Sequence, residues 1–162
     1  MSEKLHPLQT SLSLTQAAAI LDECLAVRQK EGMLPLAVAL LDAGGQLVAF
    51  KREDGCGVLR YDIAFGKAWA ALGMGMSTRL IRDRLANRPA FQSALASASD
   101  GRFIPVPGGV LILNEQKSVI GAVGVSGDAS DRDEYCAIHA IQVAGLGCEP
   151  ASHQSEWRNA GL

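Results

Sequence analysis

Leu36–Lys51 reads LAVALLDAGGQLVAFK: an apolar run, a polar turn and a second run rich in apolar residues. Leu36–Leu41 follows Pro35, is too short for a helix and suits a strand. Asp42-Ala43-Gly44-Gly45 is turn chemistry, because aspartate bonds to nearby backbone and glycine tolerates positive φ. Gln46–Lys51 resumes as a strand, so the stretch predicts a β-hairpin. The same grammar returns downstream, where Val110–Leu113 and Val119–Val125 flank the polar turn Asn114–Lys117. Hairpins make antiparallel sheet, and the helical segments around them must cover it. The fold class is therefore α+β rather than a doubly wound α/β sheet. Phe103–Val106 is a candidate for one further short strand.

Upstream of the first hairpin, Leu14, Ala17, Ala18, Leu21 and Leu25 recur at the helical interval and predict a helix over about 15–30. Ser13 and Gln16 fit a capping box at its start, and Gly32 ends it. Between the hairpins, Arg60–Leu72 is a helix with apolar residues on nearly every side. Tyr61, Ala64, Phe65, Ala68 and Leu72 form one face, and Ile63, Ala70 and Ala71 lie on the other. Such a helix is buried on most sides, by its own domain or by a partner subunit, so a homo-oligomer is expected. Ser77 caps a short helix through Leu85, Pro89 opens another through Ala98, and a closing helix runs from about 131 to 146. Residues 1–12 read as a polar arm, 13–148 as the domain, and 149–162 as a tail with little pattern.

A chain of 162 residues, 48% hydrophobic and 20% charged, can bury a core without disulfides or metal, which excludes a disordered class. Fifteen basic against seventeen acidic residues leave no electrostatic footprint for nucleic acid. No apolar run approaches the roughly 20 residues of a spanning helix, and the N-terminus has no signal-peptide core, so neither a membrane partner nor export is expected. Cys24, Cys56, Cys136 and Cys148 are widely spread and form no CxxC pair, which fits reduced thiols in a cytoplasmic protein.

Lys67 is the most informative charge. On the helical wheel it projects among Ile63, Ala70 and Ala71, where a lysine is costly unless it finds a counter-charge. It is either an anion-binding or proton-transfer group in a pocket, or half of a structural ion pair. Asp131, Asp133 and Glu134 sit at the start of the closing helix, where free amides and the dipole favour acids. Asp133 nevertheless lies near Ala137 and Ala140, and Glu134 near Ile138 and Ile141, so either can pair with Lys67 across the fold. His139 shares a stripe with Tyr135 and Gln142, with Cys136 close by. It is either a metal or haem ligand or a histidine on a polar or subunit-contacting face. One histidine and one cysteine do not close a zinc site, so no structural metal is expected. Met74 and Met76 can ligate haem iron or simply pack.

Pro107-Gly108-Gly109 and Gly124-Val125-Ser126-Gly127 are places where backbone can approach a ligand, and where glycine also serves tight turns. Ser126 is not a hydrolase elbow, because Asp128 stands where that motif wants glycine. Gly73-Met74-Gly75-Met76 follows a helix, so it is not a dinucleotide fingerprint.

In order and spacing, several segments resemble the GlcG/HbpS-like family, also found as the C-terminal domain of PduO-type proteins. They are Leu14-Thr15 with Ala18, Val38–Asp42 with Gly44-Gly45, Asp54-Gly55, and Asp62, Ala64 and Lys67. Pro107-Gly108-Gly109, Val119–Gly127 and Asp133-Glu134 complete the set. The resemblance implies a profilin-like fold with a five-stranded antiparallel sheet and helices packed around it, and homo-oligomers. It implies a cytosolic small-molecule-binding accessory protein, haem- or corrinoid-linked and associated with a catabolic pathway, with haem as the cofactor. Haem ligands of relatives do not map onto a motif at His6, His139 or His153, which leaves His139 as the haem-ligand candidate. The alternative is an enzyme acting on a small carboxylated or carbonyl intermediate, with Lys67 and Asp133 or Glu134 as acid/base groups. For either reading, the expected ligand is a small anionic molecule bound by Lys67, Gly108, Gly109, Ser126, Gly127 and Glu134.

Overall fold

A computed structural model describes residues 5–162. Helix α1 (Leu14–Glu31) leads into the hairpin β1 (Ala37–Asp42) and β2 (Leu47–Arg52). Three helices follow, α2 (Arg60–Met74), α3 (Thr78–Leu85) and α4 (Pro89–Ala98). The second hairpin is β3 (Gly109–Leu113) and β4 (Val119–Ser126), followed by α5 (Ser130–Val143) and the short strand β5 (Gly147–Glu149). The sheet has the order β2-β1-β4-β3-β5, with every pair antiparallel. This is the α+β, five-stranded architecture that the hairpins and the family resemblance imply.

Local signals explain the helix ends. Ser13 and Gln16 form the complete capping box of α1, and Gly32 closes it in the left-handed conformation. Gly75 does the same for α2, and the Ser77 hydroxyl accepts from the Leu80 amide at the start of α3. Helix α5 stops at Val143, three residues earlier than the periodicity predicts, because Gly145 takes positive φ and turns the chain.

Strand alternation sends two sets of side chains to opposite faces of the sheet. Val38, Leu40, Val110, Ile112, Val123 and Val125 pack with α1 and α5 in the main core. Leu41, Leu111 and Ala122 meet α2 through Ala68 and Ala71, while Ala37 and Ala39 meet it through Ala64. Gly124 pairs with both Ala39 and Gly109, which makes a row of very small residues across three strands. The backbone of α2 rests on that row. A Cβ at Gly124 would run into the Ala64 carbonyl oxygen, and one at Gly109 into the Lys67 carbonyl oxygen.

Phe103–Val106 is not a strand. Pro105 and Pro107 deprive the segment of ladder donors, and it crosses α2 instead, with Ile104 and the Arg102 carbonyl seated against Gly66. The fifth strand comes from Gly147–Glu149, which pairs with β3. Both ends of the chain contribute to the domain. Leu12 is buried beside α1, Ser11 accepts the Ala43 amide, and Trp157 packs into the main core.

Candidate functional site

The fold brings α2 and α5 together at the C-terminal end of β4, although the two helices lie on opposite faces of the sheet. Lys67 and Asp133 are each 1% exposed. The Lys67 ammonium lies 3.0 Å from Asp133 Oδ2 and donates to the Val125 carbonyl at 2.9 Å. Asp133 Oδ1 accepts the Asp128 amide at 3.0 Å. Burial pushes the Asp133 carboxyl up to about 6, more than Lys67 and the Asp128 amide pull it down. The cationic partner read from the sequence for these acids is thus taken by Asp133.

Gly108 is part of the same construction. Its φ is +118°, and a Cβ there would lie 2.8 Å from the Val125 carbonyl oxygen and 2.9 Å from the Lys67 ammonium. Glycine at this position makes room for the ammonium. The Gly109 amide donates to Thr78 Oγ1 at 2.8 Å, Ser126 Oγ accepts from Arg60 at 3.2 Å, and Gly127 packs against the Pro35 carbonyl and Leu36. Lys67, Gly108, Gly109, Ser126 and Gly127 thus lie together, with Asp133 where the expected set had Glu134. What fills their junction is protein: the ammonium, a carboxylate and backbone.

Glu134 goes elsewhere. It is fully buried and faces Arg79 of α3, with Nε 3.3 Å from Oε1, and neither carboxylate oxygen has an aligned hydrogen bond. Desolvation raises its pKa to about 7, against the pull of Arg79. Arg79 spends another donor on the Ser152 carbonyl at 2.7 Å. Nothing in the sequence separates Arg79 from Arg82 and Arg84 on the same helix, so this partner is legible only in the fold.

The candidate iron ligands divide by exposure. All four cysteines are buried free thiols, and burial raises the pKa of each, which disfavours the ligating thiolate. His139 is half-buried, with Nε2 3.5 Å from Glu23 Oε1. It stands 5.8 Å, centroid to centroid, from Tyr135, which stacks on Trp157 at 3.7 Å and meets His153 edge-on at 5.0 Å. The structure thus gathers two imidazoles and two larger aromatics on one surface. Trp157 and His153 belong to a stretch without periodic pattern, so the sequence shows only the Tyr135–His139 half. Met74 and Met76 pack instead against Ala70, Ile81, Leu85 and Phe103. Among the described residues no group of three or more histidine, cysteine or acidic side chains has the geometry for a metal ion, and no helix is long and apolar enough to cross a membrane.

A five-stranded antiparallel sheet, wrapped by helices and locked by a lysine–aspartate pair behind a Pro-Gly-Gly turn, defines an α+β class with an internal, protein-filled junction. Residues 12–142 match the family model described as haem degrading protein HbpS-like, and the chain belongs to that family. It is 29% identical over 134 residues to an uncharacterised 15.0 kDa protein from the dhaT-dhaS intergenic region of Citrobacter freundii, covering 82% of this chain and 93% of that one. Among solved structures, the PduOC:haem complex aligns with a TM-score of 0.76 at 24% identity, over 88% of this chain and 99% of that one. Klebsiella pneumoniae ORFY aligns at 0.75 and 26% identity, over 90% and 97% of the two chains. A double mutant of Streptomyces reticuli HbpS aligns at 0.71 and 25% identity, over 88% and 92%.

Proposed function

We propose that this chain is a small-molecule-binding accessory protein that takes haem or a related tetrapyrrole on an open face. The observation that carries the reading is the HbpS-like match across residues 12–142. The haem in the PduOC complex supports it, and the dhaT-dhaS setting of the Citrobacter freundii relative supports an association with a pathway. Four unpaired thiols are in keeping with a reducing cytoplasmic setting.

The principal cavities hold about 140 to 290 Å³. Pockets that engulf a drug-sized ligand run to roughly 300–1,000 Å³. A macrocycle is therefore held against a surface or between subunits. The surface of Tyr135, His139 and His153, backed by the buried Trp157, fits it best, since it sets imidazole nitrogen beside a phenol ring. His139 is the residue assigned to the iron. Arg132 and Arg158, which border Trp157, offer cations to the anionic substituents. Haem, when bound, would supply an iron that an imidazole such as that of His139 could ligate. The chain's part is to orient the imidazole, through Glu23 and Tyr135, and to present apolar area. The aromatic row of Phe50, Tyr61 and Phe65 on the outer side of α2 is the surface we assign to homo-oligomer contact.

The test is a haem titration followed by the Soret band, with His139→Ala and His153→Ala alongside. A saturable Soret shift that His139→Ala alters supports the assignment. An unaltered shift moves the ligand elsewhere, and no saturable shift removes the haem reading. The enzymatic alternative is favoured by one observation, the near-neutral titration of buried Glu134. It requires turnover of a small carboxylated or carbonyl compound that Glu134→Gln abolishes.

A further inference from the structure

Helix α4 differs from every other helix of the described chain in contributing no fully buried residue. Leu95 alone reaches the cluster of Ala70, Ile81, Leu85 and Phe103. Both ends of α4 are bent backbone: Arg88 has ψ 59° before Pro89, and Asp100 and Gly101 have φ of 52° and 77°. Between α4 and the end of α2 lies an open pocket of about 140 Å³. Its walls are Trp69, Met74, Leu95, Ala98 and Phe103, with Gly73 and Ser99.

The wall chemistry defines the guest. The Ser99 hydroxyl is already committed, donating to the Ala96 carbonyl at 3.1 Å and accepting the Phe103 amide at 3.0 Å. The Arg102 guanidinium lies over the Trp69 ring at 4.6 Å. The remaining side chains of the lining are apolar or aromatic, apart from the weakly accepting Met74 thioether. A carboxylate entering here would lose its water and find no partner. An apolar cavity of roughly 150 Å³ in another protein takes benzene, which sets the size of guest that fits here. The Met74 side chain adapts its shape to a guest and favours contact with an aromatic edge.

We propose that this pocket is a binding site for a small, uncharged apolar molecule of single-ring size, flanked by α4. The helix forms the outer wall and gives way without uncovering a buried core residue of its own. The site is separate from the Tyr135–His139 surface and does not depend on the haem reading.

The probes are benzene, bromobenzene and benzoate with the full chain. Benzene is expected to bind saturably by NMR titration and to raise the thermal midpoint. Bromobenzene, a heavy-atom quencher, is expected to quench the emission of Trp69, and Trp69→Phe to abolish that saturable quenching while Trp157 remains. Ala98→Leu, at an exposed helix position, fills the pocket and weakens benzene about tenfold or more. Circular dichroism and an undiminished urea midpoint show that this variant is folded and that any failure belongs to this site alone. Absence of saturable benzene binding, equal binding of benzoate, or unaltered affinity in a folded Ala98→Leu protein would each overturn the proposal.

Discussion

The two faces of the sheet are made of residues of different size, and they hold their helices in different ways. Toward α1 and α5 the strands present Val38, Leu40, Val110, Ile112, Val123 and Val125. Toward α2 they present Ala37, Ala39, Ala122, Gly109 and Gly124, with Leu41 and Leu111 as the two larger members. The first interface is side chain against side chain, where neighbouring rotamers absorb small changes. The second is helix backbone against strand backbone, where the peptide groups themselves set the separation. Lys67 belongs to the second face but ends at Asp133 of α5, so one ion pair ties the two layers together past the end of β4.

That tie predicts the largest effect. Asp133→Asn leaves the Lys67 ammonium buried without a counter-charge and should cost about 3–5 kcal/mol in urea unfolding. A cost below about 1 kcal/mol would mean that the pair is not the clamp between layers. Gly124→Ala forces a methyl into the Ala64 carbonyl and should cost about 3 kcal/mol, toward the upper end of overpacking losses. Ile112→Val on the opposite face removes one methylene and should cost only about 1 kcal/mol. If these two costs came out equal, the contrast between the faces would be void.

A pH dependence probes the buried acids of α5 directly. The native carboxyls of Asp133 and Glu134 titrate near 6 and 7, above their ordinary values of 3.8 and 4.5. The folded chain therefore holds protons that the unfolded chain releases. This stabilisation is complete below about pH 4 and is lost as pH rises through about 6 and then 7. Denaturant midpoints measured from pH 4 to pH 8 should show the decline, and Glu134→Gln should flatten its upper part. A variant with the full slope near pH 7 would assign that titration to another group.

The hairpins, the capping box at Ser13 and the Lys67–Asp133 partnership were legible because each leaves a local or compositional trace. Alternation around a turn, a serine three residues before a glutamine, and a lysine among alanines all show in the chain itself. β5 left none: three residues, Gly147-Cys148-Glu149, are too few for a period, and their pairing with β3 is long-range. The Glu134–Arg79 pair and the Tyr135–Trp157 stack were invisible for a related reason. In each case a residue of α5 meets one of several equivalent candidates, and only the docking of the elements chooses between them. Phe103–Val106 misled because its apolar residues suit a strand while its flanking prolines forbid the ladder.

The burial of Lys67 also makes it a built-in clock. Lys30, Lys51 and Lys117 stand in solvent and acylate at the rate of free amines, whereas the Lys67 nitrogen is sealed behind Val125 and Gly108. An amine-reactive reagent reaches it only when α2 separates from the end of β4. The rate at which a peptide containing acylated Lys67 accumulates, set against the peptides of the three exposed lysines, therefore counts openings of the native protein. It does so in plain buffer, with no denaturant and no reagent beyond the acylating one.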